Sequence, residues 1–296
     1  MHFPLAVVVL PLAAQAVNII SSNDDGWAEK NIRTLYDSLT AAGHSVVISA
    51  PAENKSGTGS LDEDPTQLTE ACEFDSCPVG SPAVGNNATQ PRWNYVNSFP
   101  VTSIKHGIQN LSTTYFNGNP DLAVTGPNVG SNLGVANAIS GTVGAACYAA
   151  HDAGIPAIAF SGASGSAIAW DDPTPAYATL YAELSAKVVN RVVAAGTPYL
   201  PEGVYLNVNF PKADECTSVD DFKFVLSRIY TAVPLFSGDD VETCGNDKRL
   251  PTETKVTGAG CYVSISVGNA SNKRDADATL QAEVLNKLGD FLTCLP

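Results

Sequence analysis

Two adjacent carboxylates, Asp24 and Asp25, are the residues of this sequence most able to do chemistry. They lie just past residues 17–22, a short run rich in β-branched side chains that predicts a strand. Neighbouring carboxylates repel one another and need a proton or a cation to coexist. An isolated Asp-Asp-Gly sequence is more often a plain turn, so the assignment depends on what other polar loops could join it.

Two further polar loops follow predicted strands. Residues 54–57 (Asn-Lys-Ser-Gly) follow a strand at 45–50, and the Gly/Asn-rich residues 126–134 follow a strand at 122–125. Carboxylate, hydroxyl and amide oxygens are the ligands that hard divalent ions prefer. Three polar loops at successive strand ends favour a site for Mg²⁺, Mn²⁺ or Ca²⁺. If the loops converge, its ligands are Asp24, Asp25, Ser56 and Asn128.

The sequence Ser140-Gly141-Thr142 opens a predicted helix at 141–153. Unpaired backbone N–H groups and the helix dipole favour an anion at such a position, which predicts phosphate binding. Ser140 or Thr142 could also act simply as the N-cap, and both roles are compatible.

Several other catalytic motifs are missing. The glycines of residues 126–134 do not fit the G-x-G-x-x-G spacing of dinucleotide sites, and the sequence holds no P-loop. It also lacks the G-x-S-x-G turn of serine esterases. These absences disfavour a nicotinamide-dependent oxidoreductase and a serine hydrolase.

The elements that must position these residues alternate between strand and helix. Strands are predicted at residues 17–22, 45–50, 122–125, 157–161, 204–210 and 262–267, and helices at 32–43, 141–153, 174–195 and 275–292. This alternation predicts an α/β fold with a doubly wound, mostly parallel sheet, in which ligands bind at the carboxyl ends of the strands.

We expect a single domain over residues 17–296. Residues 61–100 are interpreted as a loop insertion and residues 212–296 as a hairpin and C-terminal extension. Residues 1–16 resemble a signal peptide cleaved after Ala16, which predicts a secreted protein. Of the seven cysteines, six lie in turn-rich or terminal stretches and predict disulfides, and Cys72 and Cys77 are close enough to close a small loop. Cys147, among alanines, is the candidate odd thiol.

Charge limits the partners. Asp and Glu outnumber Lys and Arg by 30 to 16, giving a formal net charge of −14. Such a surface repels nucleic-acid polymers and anionic lipid, but a bound cation would still permit a small anionic substrate. The sequence after residue 16 has no apolar run of the ~20 residues that a membrane span needs, so no membrane partner is expected.

The motifs at 23–26, 54–57, 120–134, 140–143 and 206–211 together resemble the survival protein SurE family, over about residues 18–211. The resemblance implies a Rossmann-like core and a metal-dependent phosphomonoesterase acting on nucleoside monophosphates. It also implies metal ligands at Asp24, Asp25, Ser56 and Asn128, and a homodimer. The C-terminal stripe formed by Leu280, Val284, Leu288 and Phe291 is the predicted contact surface, and packing of this stripe against the chain's own core is the alternative.

On this reading Asp24 and Asp25 are catalytic, and an ion-activated water is favoured over covalent attack by either carboxylate. The residues assigned to the phosphate are Asn23, Gly57, Asn132, Ser140, Gly141 and Thr142. The alternative is a secreted, non-catalytic metal- or nucleotide-binding protein on the same fold. It is motivated by Thr102 and Ile139, which replace an Asp and a Tyr common in the family.

Overall fold

The computed structural model describes residues 15–214 and 216–296, which form one mixed sheet flanked by helices. The predicted signal peptide lies almost wholly outside the described residues. The strands are β1 (Asn18–Ser22), β2 (Ser45–Pro51), β3 (Val84–Asn86), β4 (Trp93–Val96), β5 (Leu122–Val129), β6 (Ala157–Gly162), β7 (Val204–Phe210), β8 (Lys223–Ser227), β9 (Tyr262–Asn269) and β10 (Arg274–Asp275). The helices are α1 (Lys30–Ala41), α2 (Pro100–His106), α3 (Ser112–Phe116), α4 (Ala136–Ile139), α5 (Gly141–Cys147), α6 (Ala176–Ala194), α7 (Glu253–Thr257) and α8 (Ala278–Leu288).

The strand order is β10-β9-β7-β6-β5-β1-β2-β4-β3, with β8 also paired to β9. The strands from β7 to β4 in this order are parallel, which confirms the predicted α/β sheet. Since β1 pairs with β2 on one side and with β5 on the other, the chain changes direction across the sheet between β1 and β5. Such a switch point opens a crevice at the carboxyl ends of the two strands.

Alternate residues of the central strands feed two hydrophobic cores. Ile19 packs into the core beneath α1 and α6, whereas its neighbour Ile20 packs into the opposite core beneath α2 and α5. Because both faces of the parallel strands are covered, β2 and β6 are largely apolar runs with little alternation. The layers therefore hold the carboxyl ends of β1, β2 and β5 in a fixed relation.

The predicted loop at residues 61–100 differs from the structure in its later part. β3 and β4 lie within it, and β4 extends the sheet by pairing in parallel with β2, Ile48 opposite Trp93. The run of four residues in β4 is flanked by polar sequence and was too short to be recognised by its pattern. The predicted helix at 141–153 is α5 followed by a π-helical segment, Tyr148–Asp152.

Residues 212–296 contain two kinds of strand pair. β8 runs parallel to β9, so the two do not form a hairpin, whereas β9 and β10 are antiparallel and do. The predicted final helix is shorter than expected at both ends. Asp277 caps its start by accepting hydrogen bonds from Thr279 N and Leu280 N, and Gly289, with φ +50°, ends it. Val284 and Leu288 are buried in this chain's own core. The apolar stripe of α8 therefore does not provide the exposed contact surface that the sequence analysis assigned to it.

The cysteines form three disulfides among the described residues: Cys72–Cys77, Cys216–Cys261 and Cys244–Cys294. Cys147 is unpaired and buried in α5, as predicted. In the described part of the chain, no helix combines the length and the apolar character needed to cross a membrane.

Candidate functional site

The loops after β1, β2 and β5 meet at the switch point of the sheet. The turn after β1 carries Asp24 and Asp25, and the end of β5 carries Asn128. β5 reaches Asn128 through a register shift against β6 between Thr125 and Asn128. Gly126 lies at this shift with φ +96°, and a Cβ there would come within 2.2 Å of Phe160 O, so only glycine fits.

Asp24 is a buried carboxylate, and each of its two oxygens accepts a hydrogen bond. One oxygen accepts from Gly141 N at 3.0 Å, and the other accepts from the Thr142 hydroxyl in a very short bond. In the structure, the group that accepts hydrogen bonds at the start of α5 is the Asp24 carboxylate. The phosphate contact predicted at this position stays a prediction. Ser140 is the N-cap of that helix, because its hydroxyl accepts from Val143 N at 3.1 Å.

Asp25 and Asn128 complete a compact group of oxygen atoms. Asp25 Oδ2 accepts from Val129 N at 2.9 Å, and Asn128 Oδ1 lies 3.3 Å from the Thr142 hydroxyl that also contacts Asp24. Asn128 Nδ2 donates to Gly130 O at 2.6 Å, which leaves the amide oxygen turned toward the carboxylates. The structure therefore brings three of the four predicted ligands together.

The charges in this group are not balanced by protein cations. Burial raises the pKa of Asp24, and burial together with the charges of Asp24 and Glu29 raises the pKa of Asp25 well above its ordinary value. Burial raises the pKa of Glu29 to about 8 and that of Glu73, near Gly26, to about 7. No Lys or Arg forms an ion pair with Asp24 or Asp25 among the described residues.

A hard divalent cation fits this arrangement. Two desolvated carboxylates need either protons or a positive charge to be stable side by side. The carboxylates and the amide oxygen of Asn128 offer oxygen atoms of the kind that hard divalent ions prefer. A site made of three or more His, Cys, Asp or Glu side chains is absent from the part of the chain that the structure describes.

The fourth predicted ligand, Ser56, lies in a different environment. Its loop is tied to the site through the backbone, since Lys55 N donates to Asp24 O at 2.7 Å and Gly59 N donates to Ile139 O. Ser56 and Gly57 themselves are exposed, and Ser56 N donates to Asn54 Oδ1 at 2.9 Å.

The two asparagines assigned to phosphate are occupied within the chain. Asn23 closes the turn after β1, donating to Gly26 O and accepting from Gly26 N. Asn132 Nδ2 donates to Ser161 Oγ at 2.8 Å, and its backbone N–H donates to Asn209 Oδ1. These contacts shape the loops that carry Asp24 and Asn128.

A buried network beneath the 126–134 loop was missed by the sequence analysis. Asn207 and Asn209 of β7 both donate to Asn132 O, at 2.9 and 3.3 Å, and Glu253 accepts from Asn207 Nδ2 at 2.7 Å. The alternation of asparagine with apolar residues in β7 was the available signal. Amides at buried strand positions indicate hydrogen-bonding partners inside the protein, which the alternation alone does not identify.

Together, the fold and the site define an α/β protein of Rossmann type with two buried adjacent carboxylates at the switch point of its sheet. The family model for "Survival protein SurE" matches residues 19–230, so the chain belongs to that family. An acid phosphatase of Yarrowia lipolytica is 35% identical over 306 residues, covering 93% of this chain and 84% of that protein. A 5′-nucleotidase SurE of Lawsonia intracellularis is 32% identical, covering 66% of each chain.

The fold also matches a solved structure. The crystal structure of the SurE protein from Aquifex aeolicus superposes with a TM-score of 0.59 at 22% identity, covering 92% of this chain and 99% of that one. At this identity the likeness concerns the fold.

Proposed function

We propose that this protein is a divalent-metal-dependent hydrolase of phosphate monoesters, with nucleoside monophosphates as substrates. The buried pair Asp24 and Asp25, without an ion-pair partner among the described residues, carries the proposal, because a bound cation would stabilise it and it lies at the switch point where ligands of such sheets bind. The phosphatase and nucleotidase names of its relatives support the same reaction class.

Asp24, Asp25 and Asn128 would hold the ion, which is Mg²⁺, Mn²⁺ or Ca²⁺, and Ser56 would join them from the exposed loop. When bound, such an ion polarises a phosphoryl oxygen and lowers the pKa of a coordinated water. Gly141 N and the Thr142 hydroxyl fix the orientation of the Asp24 carboxylate. Both aspartates act as ligands in this arrangement, which favours hydrolysis by water over attack by a carboxylate.

The phosphate would lie on the open side of the ion. The backbone N–H of Gly141 and that of Val143 are already hydrogen-bonded within the chain, so the start of α5 binds Asp24. Ser56 and Gly57 are exposed at the same edge of the sheet and would contact the phosphate instead.

We further propose an extracellular homodimer. The three disulfides support secretion, because such bonds persist in oxidising compartments. The dimer follows from family membership alone, and light scattering at micromolar concentration tests it: a monomeric mass would contradict it.

Phosphate release from nucleoside monophosphates, with and without a chelator, tests the function. We expect the chelator to abolish turnover and Mg²⁺, Mn²⁺ or Ca²⁺ to restore it. Asp24→Asn or Asp25→Asn should each reduce kcat/KM at least about a hundredfold, because the buried site loses charge that balances the ion. Asp152→Asn, at an exposed acid outside the site, is the matched control.

Turnover that persists in the double variant would overturn the metal assignment. Metal binding without turnover in the wild type would instead support the non-catalytic alternative. Circular dichroism of each variant establishes that the fold is retained.

A further inference from the structure

A cavity of about 410 Å³ lies at the carboxyl ends of β6 and β7, the two strands that follow β5 in the sheet. One wall is the Gly/Asn-rich loop through Ser131 and Leu133, and the opposite wall is α7 through Thr254 and Thr257. We propose, on the basis of the hydrolase function above, that this cavity is the subsite for the nucleoside part of the substrate.

Its position follows from the loop that it shares with the site. Ser131 and Leu133 flank Asn132, three to five residues beyond the proposed ligand Asn128. Ala163 and Pro211, which also line the cavity, come directly after β6 and β7. A phosphate held at the end of β5 would therefore direct its ester group along the same edge of the sheet, over the next two strand ends.

One buried side chain joins the wall formed by α7 to the wall formed by the Gly/Asn-rich loop. Glu253, the first residue of α7, has no exposed surface. Its Oε2 accepts from Gly134 N at 3.2 Å and its Oε1 accepts from Asn207 Nδ2 at 2.7 Å. Because Glu253 joins α7 to both the loop and β7, the cavity has defined walls before any ligand enters.

The lining favours an uncharged organic group over a second phosphate. The lining contains apolar side chains and the hydroxyls of two threonines. Its only charged side chains are Lys212 and Asp214, which have opposite signs. A site for polyphosphate would need several cations, whereas a nucleoside needs apolar surface and a few hydrogen-bonding groups. The volume lies within the range of small-molecule pockets, about 300–1,000 Å³.

Two larger cavities among the described residues lie elsewhere. One lies between α8 and the C-terminal residues, and the other borders the segment around residues 230–240. Neither contains a residue of the Gly/Asn-rich loop. Of these three cavities, the one beside α7 shares the loop that carries the proposed ligand Asn128.

The test fills the cavity without touching the metal ligands. Thr254→Trp places an indole at an exposed cavity residue, and Lys255→Trp, at the next and equally exposed position, faces a different cavity and is the control. With adenosine 5′-monophosphate, we expect Thr254→Trp to raise KM about tenfold with kcat little changed, as for lost ground-state binding. Hydrolysis of glycerol 2-phosphate, whose ester group is small, should be unchanged in both variants.

Equilibrium binding separates this proposal from the function on which it rests. Calorimetric titration of wild type and Thr254→Trp with adenosine, which carries no phosphate ester to hydrolyse, measures the subsite without turnover. Binding that Thr254→Trp weakens about tenfold, in a protein that hydrolyses nothing, would retain the subsite and overturn the hydrolase. Unchanged nucleotide kinetics and binding in Thr254→Trp, or equal losses on both esters, would overturn the subsite while leaving the hydrolase standing.

Discussion

The proposed metal ligands fall into two regions that differ in how the chain holds them. Asp24, Asp25 and Asn128 are buried and fixed by hydrogen bonds to one another's loops. Ser56 is exposed and held only through the backbone of its neighbours. The fixed region can set the position of an ion before substrate arrives, whereas the exposed loop can adjust to what is bound.

The largest loss of activity is expected at Gly141, where the packing against Asp24 leaves no room for a side chain. A Cβ at Gly141 would lie 2.8 Å from Asp24 Cβ and 3.0 Å from its Oδ2. Gly141→Ala should therefore displace the carboxylate and reduce kcat/KM about a hundredfold, as expected when preorganised charge is moved. Gly118→Ala is the control, since nothing lies within 4 Å of its Cβ and the glycine has no positive φ. Equal activity in the two variants would show that the position of Asp24 is not critical.

A smaller effect is expected in the exposed loop. Ser56→Ala removes one neutral ligand that makes no hydrogen bond to the carboxylates, so we expect the Mg²⁺ concentration for half-maximal activity to rise about tenfold. Maximal kcat should stay within about threefold of wild type at saturating metal. Titration of activity against free Mg²⁺ measures both values. An unchanged metal dependence would remove Ser56 from the ligand set.

Stability should depend on pH through the buried acid that supports the fixed region. Burial raises the pKa of Glu253 from 4.5 to about 8. The folded state therefore binds more protons than the unfolded state between these values, and this group lowers the free energy of unfolding as pH rises from about 5 to 8. Glu253→Gln should flatten that slope in chelator-treated protein, measured by urea unfolding at several pH values. A slope equal to that of wild type would contradict the raised pKa.

The smallest effect concerns glycans, and it tests whether the exposed loop borders the substrate path. The sequence offers four N-x-[ST] sequons, at Asn54, Asn87, Asn110 and Asn269. We expect Asn54 to be unmodified, because a glycan two residues from Ser56 would obstruct the crevice, and at least one of the others to carry sugar. Glycopeptide mass spectrometry of the secreted protein measures the occupancy. High occupancy at Asn54 with full activity would place the loop outside that path.

The sheet was largely predictable from the sequence because its central strands and long helices have strong patterns. β1, β2, β6 and β7 fall close to their predicted bounds, as does α6. β4 was missed, since four residues between polar stretches carry little periodicity. The shortening of α8 at its start was also missed, because it depends on the side-chain cap at Asp277.

The candidate site was predictable in composition more than in contacts. Asp24, Asp25 and Asn128 converge because parallel strands end at one edge of a sheet, which a sequence pattern can indicate. The pairing of Asp24 with the start of α5 could not be read in the same way, because it depends on where a helix packs. The contacts of Glu253 could not be predicted from the sequence. They depend on the packing of α7 against the loop after β5, which lies more than a hundred residues earlier in the chain.

The three disulfides differ in where they lie relative to the proposed metal ligands. Cys216–Cys261 and Cys244–Cys294 each join parts of the C-terminal extension, whereas Cys72–Cys77 closes a short loop whose Glu73 lies beside Gly26. Among the described residues, no disulfide links the extension to residues 24–142, which contain every proposed metal ligand. Reduction of the two extension disulfides would therefore leave the covalent links around the site unchanged, whereas reduction of Cys72–Cys77 would release a segment next to the turn that carries Asp24 and Asp25.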